Sequence, residues 1–476
     1  MAQTIMPKID FDAYERNLRK KSESYWQARG RRRAFSLFKK AAELVPAYRD
    51  FLKKHRVQPH HIKTADDFSR IPQTNKENYI QAYPLQKRCW NGALPSSGII
   101  AASSGTSGTP NFWIRGSGQE EEAAFLHQFI YRYLCGAEES TLVIIAFPLG
   151  VYVSGVATLL PTWTIAEQSR ITIVSTGTNK ADILLALRTY ASSYKTIIMA
   201  GHPYFIKDVL ETSVVEGNIP PLRRIALLLA SEGFSEKWRS YVKKILAPHS
   251  EDIRVISMYG SSEFLIMAHE TEDSIRVKQK LEEDTREYSV FQYHQVLRYF
   301  EAADGELLCT ANGATPLVHH AIHDAGNILP LTEAIAILDG AVPRWKLPFL
   351  LLKGRSDQTL VFYAANIYPE HVRQALDHPP FHAKITGKFT LQKRQLSSLN
   401  QRFEVVVECR PRVALSLALK NTIVKRIFSY LLQANKEYLY ISQHLTTDVR
   451  PHVLLKAYQD PEYFKPGIKP RYIRHS

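Results

Sequence analysis

From residue 142 onward the chain alternates short β-branched apolar runs with longer stretches of helical period, and this alternation constrains the fold more than any other feature. The runs fall at 142–147, 171–175, 196–200, 225–230 and 254–259. Strands separated by helix-length segments return to a sheet through crossovers, which predicts an α/β fold with parallel sheet. Within this region Ser140 to Ala166 holds 27 residues without Asp, Glu, Lys, Arg or His, long enough to span a bilayer. Pro148, Gly150, Gly155 and Pro161 interrupt it, so it reads instead as a buried strand, a loop and an apolar helix. Upstream, Phe11 to Arg56 is helical in pattern, with charges between Tyr14, Leu18, Tyr25, Phe35, Leu37 and Phe38.

With 476 residues, 45% of them hydrophobic and 22% charged, the chain can bury a large core and is expected to divide into two or three domains. A stretch punctuated by Pro330, Pro343 and Pro348 leads into KGRSDQ at Lys353 to Gln358, a junction. The net charge of +15 is uneven: 18 Lys and Arg face 8 Asp and Glu from Gln358 to the end. Such a basic segment favours an acidic partner, whether polyphosphate groups, an acidic carrier protein or nucleic acid. With no zinc finger, RNP aromatic motif or basic heptad helix, nucleic acid is the weakest of the three. Cys89, Cys135, Cys309 and Cys409 form no CxxC pair and fit neither a disulfide scaffold nor a zinc site, which suits a reducing cytoplasm. Lys8, Asp10, Asp12 and Glu15 break the apolar run that an export signal would need.

Chemistry concentrates in four clusters. Ser103 to Pro110 reads SSGTSGTP, in which glycines allow close backbone approach and hydroxyls add donors for phosphate oxygens. Taken alone, such a run also reads as a flexible linker, and it lacks the GxxxxGK of a P-loop. Next comes SMYGSSEF at Ser257 to Phe264, after a strand. Tyr259 can stack on a purine, Ser262 can donate to phosphate, and Glu263 can hold Mg²⁺ together with phosphate oxygens. Asp324 is read as following a strand, where its carboxylate can accept from ribose hydroxyls. Arg355 and Asp357 stand at the junction. HHxxH at His319, His320 and His323 has a metal-like spacing, but neighbours on a strand point to opposite faces, so a metal is not expected there.

In this order the clusters resemble the adenylate-forming ligases, most closely the phenylacetate-CoA ligase-like branch. SSGTSGTP is similar to that superfamily's phosphate loop, YGSSE to its adenine and Mg²⁺ motif, HDAG to its ribose-aspartate motif, and GRSDQTLVFYAANIYPEHVRQAL to its hinge and following helix. VPAYRDFL, IPQTNKE and the terminal DPEYFKPGIKPRYI extend the resemblance over essentially the whole chain. It implies an adenylation domain over residues 1–356, with mixed and parallel sheets and helices, and a small mobile α+β lid over residues 357–476.

The activity implied is attack of a carboxylate on the α-phosphate of ATP, release of pyrophosphate, and transfer of the acyl group to a thiol. CoA is the first candidate acceptor. A carrier protein or an amine is the alternative, and a non-catalytic ATP-binding member of the family is a third reading. Ser103, Ser104, Gly105, Thr106, Ser107, Gly108 and Thr109 would cradle the leaving phosphates. Ser262 would contact the α-phosphate, Glu263 the Mg²⁺, Tyr259 with Gly260 and Ser261 the adenine side, and Asp324 with Arg355 the ribose. Ser231, Glu232 and Gly233 would approach the adenine edge, and Asp357 would be the hinge. Lys469 is the expected catalytic lysine, with Lys465 as the fallback. Phe147, Val151, Ser154, His202 and Ala230 would wall a largely apolar acyl pocket, suited to an aromatic or medium aliphatic acid. A homodimer is left open. The sequence departs from the family at Asn111, where many relatives carry lysine, and at Ala364 and Ala365, in a loop that is often glycine-bearing.

Overall fold

The computed structural model describes residues 10–103, 111–135, 139–284, 286, 288–355, 359–464 and 472–474. The described residues form two compact units, a large one of residues 10–103 and 111–354 and a small one that begins at Arg355.

In the large unit the N-terminal helical segment resolves into α1 (Phe11–Lys20), α2 (Glu23–Leu44) and α3 (Pro46–Lys54). The breaks are local: Ser22 caps α2 by accepting from the Tyr25 N–H, and Pro46 starts α3 at the position where a missing N–H costs nothing. After the one-turn α4 (Leu85–Arg88) come the antiparallel hairpin of β1 (Gly98–Ser103) and β2 (Asn111–Gly116), and then α5 (Ser117–Leu134).

The parallel half of the main sheet is built from β3 (Thr141–Ala146), α6 (Val153–Ala166), β4 (Ile171–Ser175), α7 (Lys180–Tyr190), β5 (Thr196–Gly201), α8 (Pro203–Val215), β6 (Arg224–Ala230), α9 (Glu236–Leu246) and β7 (Asp252–Ser261). All six residues of β3, all six of β5 and all seven of β6 are buried, as strands covered on both faces require. The uncharged stretch from Ser140 is therefore β3, a turn and α6. No helix among the described residues is long and apolar enough to cross a membrane.

The sheet then continues antiparallel through β8 (Leu265–His269), α10 (Glu272–Glu283), β9 (Ser289–Gln292), β10 (Tyr299–Ala303), β11 (Glu306–Ala311), β12 (Leu317–Leu329), α11 (Leu331–Ile337) and β13 (Phe349–Arg355). Its eleven strands lie in the order β10-β11-β12-β13-β9-β8-β7-β6-β5-β3-β4. Strand β12 corrects one expectation, because Asp324 lies within this 13-residue strand and not after one. The strand can run on because two register shifts against β11 and left-handed kinks at His319 (φ 49°) and His323 (φ 61°) bend it.

The small unit begins with a hairpin of β14 (Leu360–Phe362) and β15 (Ala365–Ile367). After α12 (Pro369–Leu376) and the short α13 (Pro379–His382) come β16 (Ile385–Gln395), β17 (Gln401–Cys409), α14 (Leu417–Ala434), α15 (Lys436–His444), β18 (His452–Lys456) and β19 (Ile473–Arg474). The four strands lie in the order β18-β17-β16-β19, and α14 contributes Leu419, Ile423, Ile427 and Leu431 as one buried stripe. The β14–β15 turn is made by Tyr363 (φ 47°) and Ala364 (φ 66°), two side-chain-bearing residues in the left-handed region. Tyr363 is held there by Gln401, whose N–H donates to the Tyr363 hydroxyl at 2.9 Å. Ala364 has a backbone that glycine adopts without a Cβ penalty, so Ala364→Gly is expected to stabilise this unit by about 1 kcal/mol. A thermal melt that shows a raised midpoint checks it.

Candidate functional site at the carboxyl ends of the parallel strands

The parallel strands run β7-β6-β5-β3-β4, so the chain steps to opposite sides of β3 when it makes β4 and then β5. Such a switch in strand order leaves a crevice at the carboxyl ends of the strands, the usual ligand position in open α/β sheets. Three of the residues expected to wall an acyl pocket are at this edge: Phe147 directly after β3, His202 directly after β5, and Ala230 at the end of β6. The His202 ring stands edge-on to Phe147 with centroids 5.3 Å apart. Its Nδ1 lies 3.4 Å from the Ala230 carbonyl. A carbonyl only accepts, so Nδ1 carries the proton and Nε2 is left as an acceptor. Burial holds this histidine down at about 4, hence neutral near pH 7.

Leaving β3, the chain makes a tight turn in which the Gly155 N–H donates to Pro148 O at 3.0 Å; a Cβ on Gly155 would stand 2.3 Å from that oxygen. The turn brings Val151 beside the hairpin, where the Ala102 N–H donates to its carbonyl at 2.9 Å. The Val151 side chain is 61% exposed, and Ser154 is half-buried at the start of α6. Strand β1 delivers Ser103 opposite Asn111 of β2. Between them Ser104, Gly105, Thr106, Ser107, Gly108 and Thr109 lie outside the described residues, as do Asp357, Lys465 and Lys469.

On the next strands Ser231 follows β6 in a left-handed conformation (φ 74°), with Glu232 buried and Gly233 exposed. Tyr259 near the end of β7 and Asp324 of β12 come together: the phenol donates to Oδ2 of the carboxylate at 2.5 Å. Both are buried, and the Tyr259 ring stacks against Phe291 at 5.8 Å. The turn between β7 and β8 carries Ser262 and Glu263, both half-buried, and it is closed where Gly260 packs on the backbone of Leu265. No group of three or more His, Cys, Asp or Glu side chains able to hold a metal occurs among the described residues. A single half-buried carboxylate such as Glu263 is a donor of the kind that would suit a Mg²⁺ keeping phosphate and water ligands. Arg355 ends β13, half-buried.

The three histidines of HHxxH do not converge on one point. His319 Nδ1 donates to Ile71 O at 2.8 Å, His320 is 2.9 Å from the Thr74 hydroxyl, and His323 faces Glu77 at 3.3 Å. They dock β12 onto residues 71–77, the IPQTNKE segment. Sequence reasoning missed the buried pair Glu122 and Arg298, because 176 positions separate them and neither belongs to a motif.

Comparison with solved structures finds 2-hydroxyisobutyryl-CoA ligase in complex with 2-HIB-AMP and CoA in the thioesterification state, at TM-score 0.66 and 16% identity. The match covers 97% of this chain and 92% of that one. The chain shares the fold of that ligase. The same ligase in the postadenylation state with 2-HIB-AMP aligns at TM-score 0.53 and 16% identity, over 97% of this chain and 92% of that one. No protein-family model and no curated protein sequence matches the chain. In this chain the turn bearing Glu263, the Tyr259–Asp324 pair and the Phe147–His202 contact all lie on or directly after strands of the one main sheet.

Proposed function

We propose that the protein activates a carboxylic acid with ATP and passes the acyl group to CoA. The observation that carries this reading is the sheet edge itself: an apolar patch of Phe147, His202 and Ala230 lies beyond the same strand ends as a half-buried carboxylate, Glu263, on the β7–β8 turn. The acid's oxygen attacks the α-phosphorus, the bond to the β-phosphate breaks, and pyrophosphate leaves. The CoA thiol then adds to the acyl carbonyl, loses its proton, and AMP departs.

Little covalent work falls to side chains in such a reaction, so their contribution is orientation and charge stabilisation. Residues 103–109 cradle the leaving phosphates, and Ser262 meets the α-phosphate. Asp324, oriented by the Tyr259 phenol, takes the ribose with Arg355. Ser231, Glu232, Gly233, Gly260 and Ser261 line the adenine side, with Tyr259 beneath it. Glu263 holds Mg²⁺, which when bound neutralises phosphate charge. Lys469 reaches the transferring phosphate, and the small unit acts as a lid that turns at Asp357. The large basic excess of that unit supports an acidic carrier protein as the second acceptor to test. We place the reaction in the cytoplasm, in keeping with four free cysteines.

A neutral His202 that presents Nε2 as an acceptor suits an aromatic or medium aliphatic acid bearing a hydroxyl or amino donor, and offers no cation to a second carboxylate. The test is pyrophosphate release from Mg·ATP across monocarboxylic and dicarboxylic acids, with and without CoA. Release is expected with a monocarboxylic acid, stimulated by CoA, and Glu263→Ala is expected to lower it at least about 100-fold. No release across the panel from a protein that still binds ATP would reject adenylation.

A further inference from the structure

The turn that carries Ser262 and Glu263 is gripped from below by a side chain remote in sequence. Arg298 is 3% exposed. Its Nη2 donates to Phe264 O at 3.0 Å and its Nε to Ile266 O at 2.9 Å, so one guanidinium spans the two carbonyls that flank Leu265. Leu265 stands at φ 58°, a left-handed conformation that a branched side chain does not adopt without support. Nη1 donates to Leu297 O at 3.0 Å and to a carboxylate oxygen of Glu122, itself 2% exposed on α5. Arg33 of α2 approaches the other oxygen of Glu122 at 3.7 Å. The turn's own contribution is weaker, a bond from the Phe264 N–H to Ser261 Oγ at 3.3 Å.

We infer that Arg298, oriented by Glu122, is a positioning residue that fixes the backbone after Glu263 and so holds Ser262 and Glu263 in their working geometry. The planar fork suits this role, because lysine could not donate to two carbonyls two residues apart while also binding a carboxylate. A strained residue two positions from a proposed metal-binding carboxylate, locked by a buried ion pair between α5 and the bend before β10, is pre-organisation of the turn. The roles of Ser262 and Glu263 rest on the adenylation reading above; the grip on the turn does not.

The experiment compares wild type, Glu122→Met with Arg298→Met, Glu122→Gln, Glu263→Ala, and Glu263→Ala combined with the Met pair. Replacing both buried partners together leaves neither of them buried and alone, while the partly exposed Arg33 loses one ion-pair partner, and Glu122→Gln carries the test where the Met pair is not recovered folded. In the Met pair, amide hydrogen exchange over residues 260–266 is expected to rise at least about tenfold above the change elsewhere in the sheet. Its kcat for pyrophosphate release should fall about 30-fold or more at little-changed KM for the acid. In the Glu263→Ala background the same pair should cost clearly less than it does in wild type, since only the share carried by Ser262 is left to lose. Unchanged exchange over 260–266, or losses that multiply, would overturn the inference. If wild type releases no pyrophosphate, the adenylation reading falls while the exchange measurement still decides whether Arg298 holds the turn.

Discussion

Acidification from pH 7 to pH 5 is expected to destabilise the large unit by several kcal/mol, because buried neutral histidines must take up protons when the chain unfolds. Burial holds His127 and His269 down at about 4 and His320 at about 3, against an ordinary 6.5. Their hydrogen bonds enforce the neutral form. His127 Nδ1 donates to Ala123 O at 2.8 Å and His269 Nδ1 to Glu270 O at 2.9 Å, each leaving a buried Nε2 without a partner for a second proton. The Thr74 hydroxyl gives its proton to Val318 O, so it accepts from His320 Nδ1. His294, packed between Phe129 and Trp345, is also held well below the ordinary value.

Between pH 6.5 and about 4 the unfolded chain therefore binds more protons than the folded one, so stability is present at neutral pH and is lost as pH falls through that window. Each of the three histidines costs about 2 kcal/mol at pH 5, or about 6 kcal/mol together. Glu301, which burial pushes up to about 7, opposes them and returns about 2 kcal/mol. The net is a large part of a domain's total stability of about 5–15 kcal/mol. Urea unfolding at pH 7, 6 and 5 checks this. A steadily falling midpoint at constant slope is expected, and a flat profile would mean that these histidines accept protons in the folded state.

The parallel half of the sheet was legible because its signal is local: buried β-branched runs of strand length, separated by helix-length segments, leave little choice of architecture. The charge-free stretch from Ser140 resolved for the same reason, since Pro148 and Gly155 mark a turn that no membrane helix would carry. The helical N-terminus was legible in type but not in its division, which hangs on a single cap at Ser22 and on Pro46. The antiparallel half was much less readable. Strand β12 is bent by left-handed residues and paired through shifted registers, so period-two alternation fails along it and the sequence pattern ends the strand before Asp324.

In the candidate site, Phe147, His202 and Ala230 could be grouped from sequence because each ends a recognisable strand. What could not be read is long-range pairing. The Tyr259–Asp324 bond joins residues 65 positions apart, and the Glu122–Arg298 pair has no motif to announce it. Buried polar contacts of this kind depend on which strands become neighbours, which the local pattern of the antiparallel half does not specify.

Gly260→Ala is expected to cost both stability and activity, because at this residue the backbone of β8 closes on the backbone of β7. A Cβ at position 260 would lie 2.5 Å from Leu265 O, 3.2 Å from its carbonyl carbon and 3.5 Å from Ile266 Cα. All three are backbone atoms, so no side chain can rotate away and the two strands must part. They meet there at an irregularity, the register shift between Tyr259 and Gly260. Overpacking of this kind costs about 1–3 kcal/mol. Parting the strands also moves the Leu265 carbonyl between the two acceptors of Arg298, and with it the turn that holds Ser262 and Glu263. A displacement near 1 Å at such a site lowers turnover about 100-fold. Gly116→Ala serves as the control, since its Cβ would meet nothing nearer than 3.9 Å, and it should change stability by less than about 1 kcal/mol. Measured by urea unfolding and pyrophosphate release, a Gly260→Ala protein of wild-type stability and rate would mean that the β7–β8 turn yields freely, and the site would then have to be organised by its ligands.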